Sequence, residues 1–161
     1  MQQNKRLITI SMLSAIAFVL TFIKFPIPFL PPYLTLDFSD VPSLLATFTF
    51  GPVAGIVVAL VKNLLNYLFS MGDPVGPFAN FLAGASFLLT AYAIYKNKRS
   101  TKSLITGLII ATIVMTIVLS ILNYFVLLPL YGINLKVIIV SGIIPFNIIK
   151  GIVISIVFIL L

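Results

Sequence analysis

Apolar runs at about 7–23, 41–50, 53–70, 78–95, 103–128 and 135–161 occupy most of this chain of 161 residues. An α-helix rises 1.5 Å per residue, so about 20 apolar residues cross a hydrocarbon core roughly 30 Å thick. Only 8% of the residues are charged, whereas soluble domains carry about 25%. With 61% hydrophobic residues and a mean hydropathy of +1.24, the chain reads as an all-α, polytopic membrane protein. The first run lacks a small-residue exit, so it reads as a retained helix rather than a signal peptide.

The run at 41–50 is only ten residues, roughly 15 Å of helix and too short to cross alone. Fusing 41–70 into one Pro-kinked span would give five crossings. Charge decides between the two readings. With six crossings and a cytoplasmic N-terminus, Lys5, Arg6, Lys96, Lys98, Arg99 and Lys102 lie inside, and Asp37, Asp40 and Asp73 lie outside. Five crossings would turn the Lys96–Lys102 run outward, against the positive-inside rule. The expectation is therefore one compact domain over 1–161: a bundle of six transmembrane helices in the cell membrane, both termini cytoplasmic. The formal charge of +7 is then a topology signal, and nucleic acid is not an expected partner. The bilayer is.

Several chemistries are excluded by absence. There is no Cys and no His, so thiolate and imidazole catalysis are out. No Gly-rich loop ending in Lys-Ser/Thr is present, so the chain does not hydrolyse ATP unaided. No Glu occurs and no Asp falls within an apolar run, which disfavours proton- or sodium-coupled carriage. An enzyme is not expected, nor a cofactor or metal.

The polar residues inside the runs carry the remaining information, because a polar group in lipid costs several kcal/mol, roughly, unless it finds a partner. Asn147 and Lys150 stand three apart on the last helix and share a face, with Pro145 freeing carbonyls just before them. Asn80 and Asn123 fall at the outer ends of the fourth and fifth spans. These four are the candidate ligand contacts, although amides also bridge helices. Lys62 and Asn66, four apart on the third span, are expected to be structural and to bond each other. The loop at 24–40 carries four prolines with Phe25, Phe29, Tyr33 and Phe38. Such a loop is stiff, and it suits a lid over a planar ligand.

The stretch Leu34-Thr-Leu-Asp-Phe-Ser-Asp-Val-Pro42, followed by Phe50-Gly-Pro-Val-Ala-Gly55, Val61-Lys-Asn-Leu-Leu65 and Gly76-Pro-Phe-Ala-Asn80, resembles the substrate-binding S components of energy-coupling factor (ECF) vitamin transporters. The riboflavin-specific type is the nearest, and the resemblance covers essentially the whole chain. It implies a six-helix fold holding one vitamin near the outer face, beneath the first external loop. It adds Leu36 and Asp40 to the expected ligand residues Asn80, Asn123, Asn147 and Lys150. It also implies a separate membrane coupling (T) subunit and two cytoplasmic ATPases, with the first helix docking through an Ala-x-x-x-Ala pattern. Ser11-Met-Leu-Ser-Ala15 stands in that place, with small Ser11 for the first Ala.

Riboflavin suits these residues. Amides donate and accept at its carbonyl and imide edges, and Lys150 donates to a carbonyl or hydroxyl. Apolar walls bury its flat ring at about 25 cal/mol per Å². Biotin or pantothenate would suit a Lys150 that faces a carboxylate, and thiamin would need an acid. A structural subunit of a larger complex is the remaining alternative. The absence of basic residues near Leu161 and the short turn at 131–134 further suggest residues missing at those places.

Overall fold

The structure, a computed structural model, describes residues 2–69, 73–132 and 136–161, apart from the side chain of Lys136. Among the described residues there are six helices: α1 (Gln2–Leu20), α2 (Asp40–Phe50), α3 (Pro52–Phe69), α4 (Val75–Lys98), α5 (Thr101–Leu130) and α6 (Ile139–Leu160). The last four are each long and apolar enough to cross a membrane. The all-α membrane bundle expected from the apolar runs is the observed architecture. The breaks expected at 71–77 and 131–134 lie partly outside the described residues.

The short second run forms a helix of its own rather than fusing with the third. Gly51 takes φ +99°, a backbone that L side chains rarely adopt, and donates its N–H to Thr47 O at 2.9 Å. Pro52 then opens α3, where its fixed φ and missing N–H cost nothing. Between α4 and α5 the turn is equally tight. Arg99 is left-handed at φ 45°, and the Ser100 hydroxyl caps α5 by accepting from the Ser103 N–H at 3.1 Å.

The connection from α1 to α2 is not irregular throughout. It contains a two-stranded antiparallel ribbon, β1 (Phe25–Pro26) and β2 (Thr35–Leu36), pairing Phe25 with Leu36. Pro26 has no N–H to give the ladder, which keeps the ribbon short.

Apolar residues fall on both sides of the helices, as a lipid-facing bundle requires. Ile109, Ile113, Ile117 and Ile121 form an exposed stripe on α5, while Leu108, Met115 and Leu119 pack inward with Leu44, Leu88 and Ile154. Contact between helices then comes from close packing rather than from expelling water. Gly151 shows how close: a Cβ there would sit 2.5 Å from the Thr112 side chain, so α5 and α6 touch backbone against side chain. α1 is held at both ends, by Arg6 donating to Phe50 O at 3.0 Å and by the Phe18 ring lying 5.4 Å from Phe69.

Candidate functional site

A cavity of about 650 Å³ lies between the 21–39 connection and the adjoining ends of α4, α5 and α6. That volume is within the usual range for enclosing a drug-sized ligand, roughly 300–1,000 Å³. Apolar wall comes from Leu34, Leu119, Leu127, Ile143 and Phe146. Asn80, Asn123, Asn147 and Lys150, which the sequence placed on three different helices, all line it together.

Asn123 and Asn147 are each held by their own helix. Asn123 donates to Leu119 O at 2.7 Å, and Asn147 donates to Ile143 O at 2.9 Å. Asn123 opens a π-helical turn, Asn123–Leu127, and Asn147 reaches back to the last residue of another, Ile139–Ile143. Such turns are frequent at functional sites. The Asn147 Oδ1 is buried without a hydrogen-bond partner, a state that costs about 1–3 kcal/mol.

Lys150 is buried, and it does not snorkel. Its ammonium lies 3.0 Å from Asp40 Oδ2 and donates to Asn80 Oδ1 at 2.6 Å. The other oxygen of Asp40 accepts from Lys62, which also donates to Ser39 Oγ at 2.7 Å. Lys62 is thus paired with Asp40 and Ser39, beyond its own helix, and Asn66 lines the cavity. Asp40, expected on the outer side of the membrane and among the ligand residues, is 3% exposed. The cause is the shortness of α2: its first residue, Asp40, begins deep in the bundle, between two lysines that need an anion.

Asp40 and Leu36 are both buried but stand behind the cavity wall, while their neighbours Thr35 and Asp37 line it. Sequence reasoning passed over Asp37, Lys24 and the Lys62–Asp40 pair. The signal was available, since two lysines inside apolar runs demand carboxylates, and Asp37 and Asp40 are the acids just ahead of α2. At the mouth, Tyr131 donates to Asp73 Oδ2 at 2.7 Å. Partial burial and the Asp73 carboxylate push the Tyr131 hydroxyl up to about 12.

Residues 5–161 match the family of the ECF transporter substrate-specific component. The chain belongs to that family. Family members of this kind are transport components rather than enzymes, and the role implies a T subunit and ATPase partners. Among its relatives, the riboflavin transporter RibU of Staphylococcus aureus (strain TCH60) is 94% identical over 170 aligned positions, spanning 100% of this chain and 90% of that protein. Those 170 positions exceed this chain's 161 residues by nine, so that relative carries nine internal positions that this S component lacks. The riboflavin transporter FmnP of Bacillus subtilis (strain 168) is 47% identical over 96% of this chain and 88% of its own length. A solved structure described as "Structure and mechanism of the S component of a bacterial ECF transporter" superposes with a TM-score of 0.92. It shares 97% sequence identity over 98% of this chain and 93% of that one.

Proposed function

We propose that this S component binds riboflavin from outside the cell and presents it to an ATP-driven ECF importer. The observation that carries the substrate is the paired state of Lys150. Its charge is already met by Asp40 at 3.0 Å, so Lys150 offers a hydrogen bond rather than an unpaired charge. A carboxylate vitamin such as biotin or pantothenate would have to compete with Asp40. A cationic vitamin such as thiamin would find the same acid engaged by Lys62 and Lys150. A neutral, flat ring with carbonyl edges and a polyol tail meets neither obstacle. The names of the relatives, RibU and FmnP, point the same way.

In this reading Asn80, Asn123, Asn147 and Lys150 contact the vitamin, while Leu36 and Asp40 support the wall from behind. The chain works as one domain over 1–161, with both termini cytoplasmic and the 21–39 connection outside. Lys96, Lys98, Arg99 and Lys102 then lie at the cytoplasmic ends of α4 and α5, as the positive-inside rule favours. The partners are a membrane coupling subunit and two cytoplasmic ATPases. Ser11 and Ala15 lie exposed on one face of α1, four residues apart and small, which suits close docking of a partner helix. A purely structural subunit would have no use for a cavity of this size on which Asn80, Asn123, Asn147 and Lys150 converge.

The test is the visible absorption spectrum of the protein purified in mild detergent. A flavin spectrum near one equivalent is the expected result. A colourless protein that also leaves added riboflavin fluorescence unquenched would sink the substrate, and biotin, pantothenate and thiamin would then be titrated in turn.

A further inference from the structure

Among the described side chains, Lys62 is the one lysine wholly out of contact with solvent and cavity alike: it is 0% exposed and forms no part of the cavity wall. A buried ammonium is costly unless paired, and its pairing here has a direction. Lys62 donates to the Asp40 carboxylate and to Ser39 Oγ at 2.7 Å. The Ser39 hydroxyl in turn donates a hydrogen bond to Asp37 Oδ1, which also accepts the Ser39 N–H at 2.9 Å. On the other side, Asp40 holds Lys150, and Lys150 holds Asn80.

One continuous chain of hydrogen bonds thus runs from the loop acid Asp37, through Lys62, to Lys150 and Asn80. Its two ends line the cavity and its middle does not. The chain contains two carboxylates and two ammoniums, so it is formally neutral. Lys24 and Asp73, the other charged residues of the cavity wall, also offset each other. The middle has no room to rearrange, because a Cβ at Gly84 would sit 2.9 Å from Asp40 Oδ1.

We infer that Lys62 is a positioning and specificity-determining residue: without touching the ligand, it keeps the site electrically neutral and fixes Asp37, Lys150 and Asn80 for an uncharged solute. The inference rests on the reading of the cavity as a flavin site. Without Lys62 the site holds two acids against one cation. Lys150 is then drawn wholly to the carboxylates, and the 21–39 connection loses its tie to α3.

The experiment is a riboflavin titration by fluorescence quenching in detergent, on apo protein, with thermal unfolding of each variant alongside. Lys62→Met keeps the length and removes the charge. Affinity is expected to fall about tenfold or more, as for loss of a hydrogen bond to a charged group. Lys62→Met combined with Asp37→Asn restores neutrality and keeps an acceptor for Ser39. It is expected to recover most of that loss, which a merely structural lysine would not allow. A folded Lys62→Met that binds like the wild type overturns the inference, and so does a double variant with no recovery. If Lys62→Met does not fold, Ser39→Ala decides, since it cuts the relay and leaves every charge. A several-fold loss of affinity supports the inference and an unchanged affinity overturns it. Failure of the wild type itself to bind riboflavin would instead remove the underlying flavin reading.

Discussion

Replacing Asp40 by Asn should be among the most damaging isosteric changes in the molecule. The substitution alters one atom and keeps the shape, so packing is preserved. What disappears is the negative charge facing two buried ammoniums, Lys62 at 0% and Lys150 at 4% exposure. Removing one partner of a buried ion pair costs about 3–5 kcal/mol, because the charge left behind has neither water nor counter-ion. Here a single acid serves two cations, which argues for the upper part of that range. For a chain of this size each kcal/mol shifts the melting temperature by about 2–4 °C, so Asp40→Asn should melt roughly 6–20 °C below the wild type. Thermal unfolding of the unliganded protein in mild detergent measures this directly. Asp73→Asn is the control, since Asp73 is exposed and its bonds to Tyr131 and the Val75 N–H lie at the surface. It should cost at most about 1 kcal/mol. If Asp40→Asn melts with Asp73→Asn, the buried acid is not what holds the lysines in place, and the charge argument fails.

Asn147→Leu should separate binding from folding. It removes a buried acceptor that has no partner, so unliganded stability should hold or rise by up to about 1 kcal/mol, while riboflavin affinity falls about tenfold; melting and titration of the same sample read both. Ser11→Leu or Ala15→Leu should block uptake in cells carrying the assembled importer and leave riboflavin binding intact. Uptake surviving both would show that α1 is not the docking face. Tyr131 should ionise only at about pH 12 rather than near its ordinary 10.0. A folded-state value raised by partial burial and then by Asp73 means that the neutral hydroxyl's contribution to stability is fully present below pH 10.0 and is lost as pH rises through about 12. Ultraviolet titration of tyrosinate, comparing wild type with Tyr131→Phe, detects the late-titrating group.

Different parts of this protein were legible at different ranges. The helices follow from hydropathy and from local punctuation: Gly51-Pro52 ends α2 and opens α3, and Arg99-Ser100 ends α4 and caps α5. The four amide and lysine candidates were legible because a polar group in an apolar run needs a reason to be there. The Asp40 partner of Lys62 was missed. Helical spacing pointed to Asn66, one turn away, whereas Asp40 is 22 residues distant on another helix. Spacing describes one helix and is silent about what the next helix brings.

The sequence by itself determined that this chain lives in a membrane, that it crosses as helices, and that it performs no catalysis by Cys or His. These are consequences of composition and of the cost of exposing polar backbone to lipid, which act on each segment separately. Only the tertiary structure decided that Asn80, Asn123, Asn147 and Lys150 share one cavity, and that Asp40 enters the bundle to balance two lysines. Charge pairing across helices depends on where a short α2 begins in space. That depth is fixed by the packing of α2 against α1, α3, α4 and α6, and no local pattern encodes it.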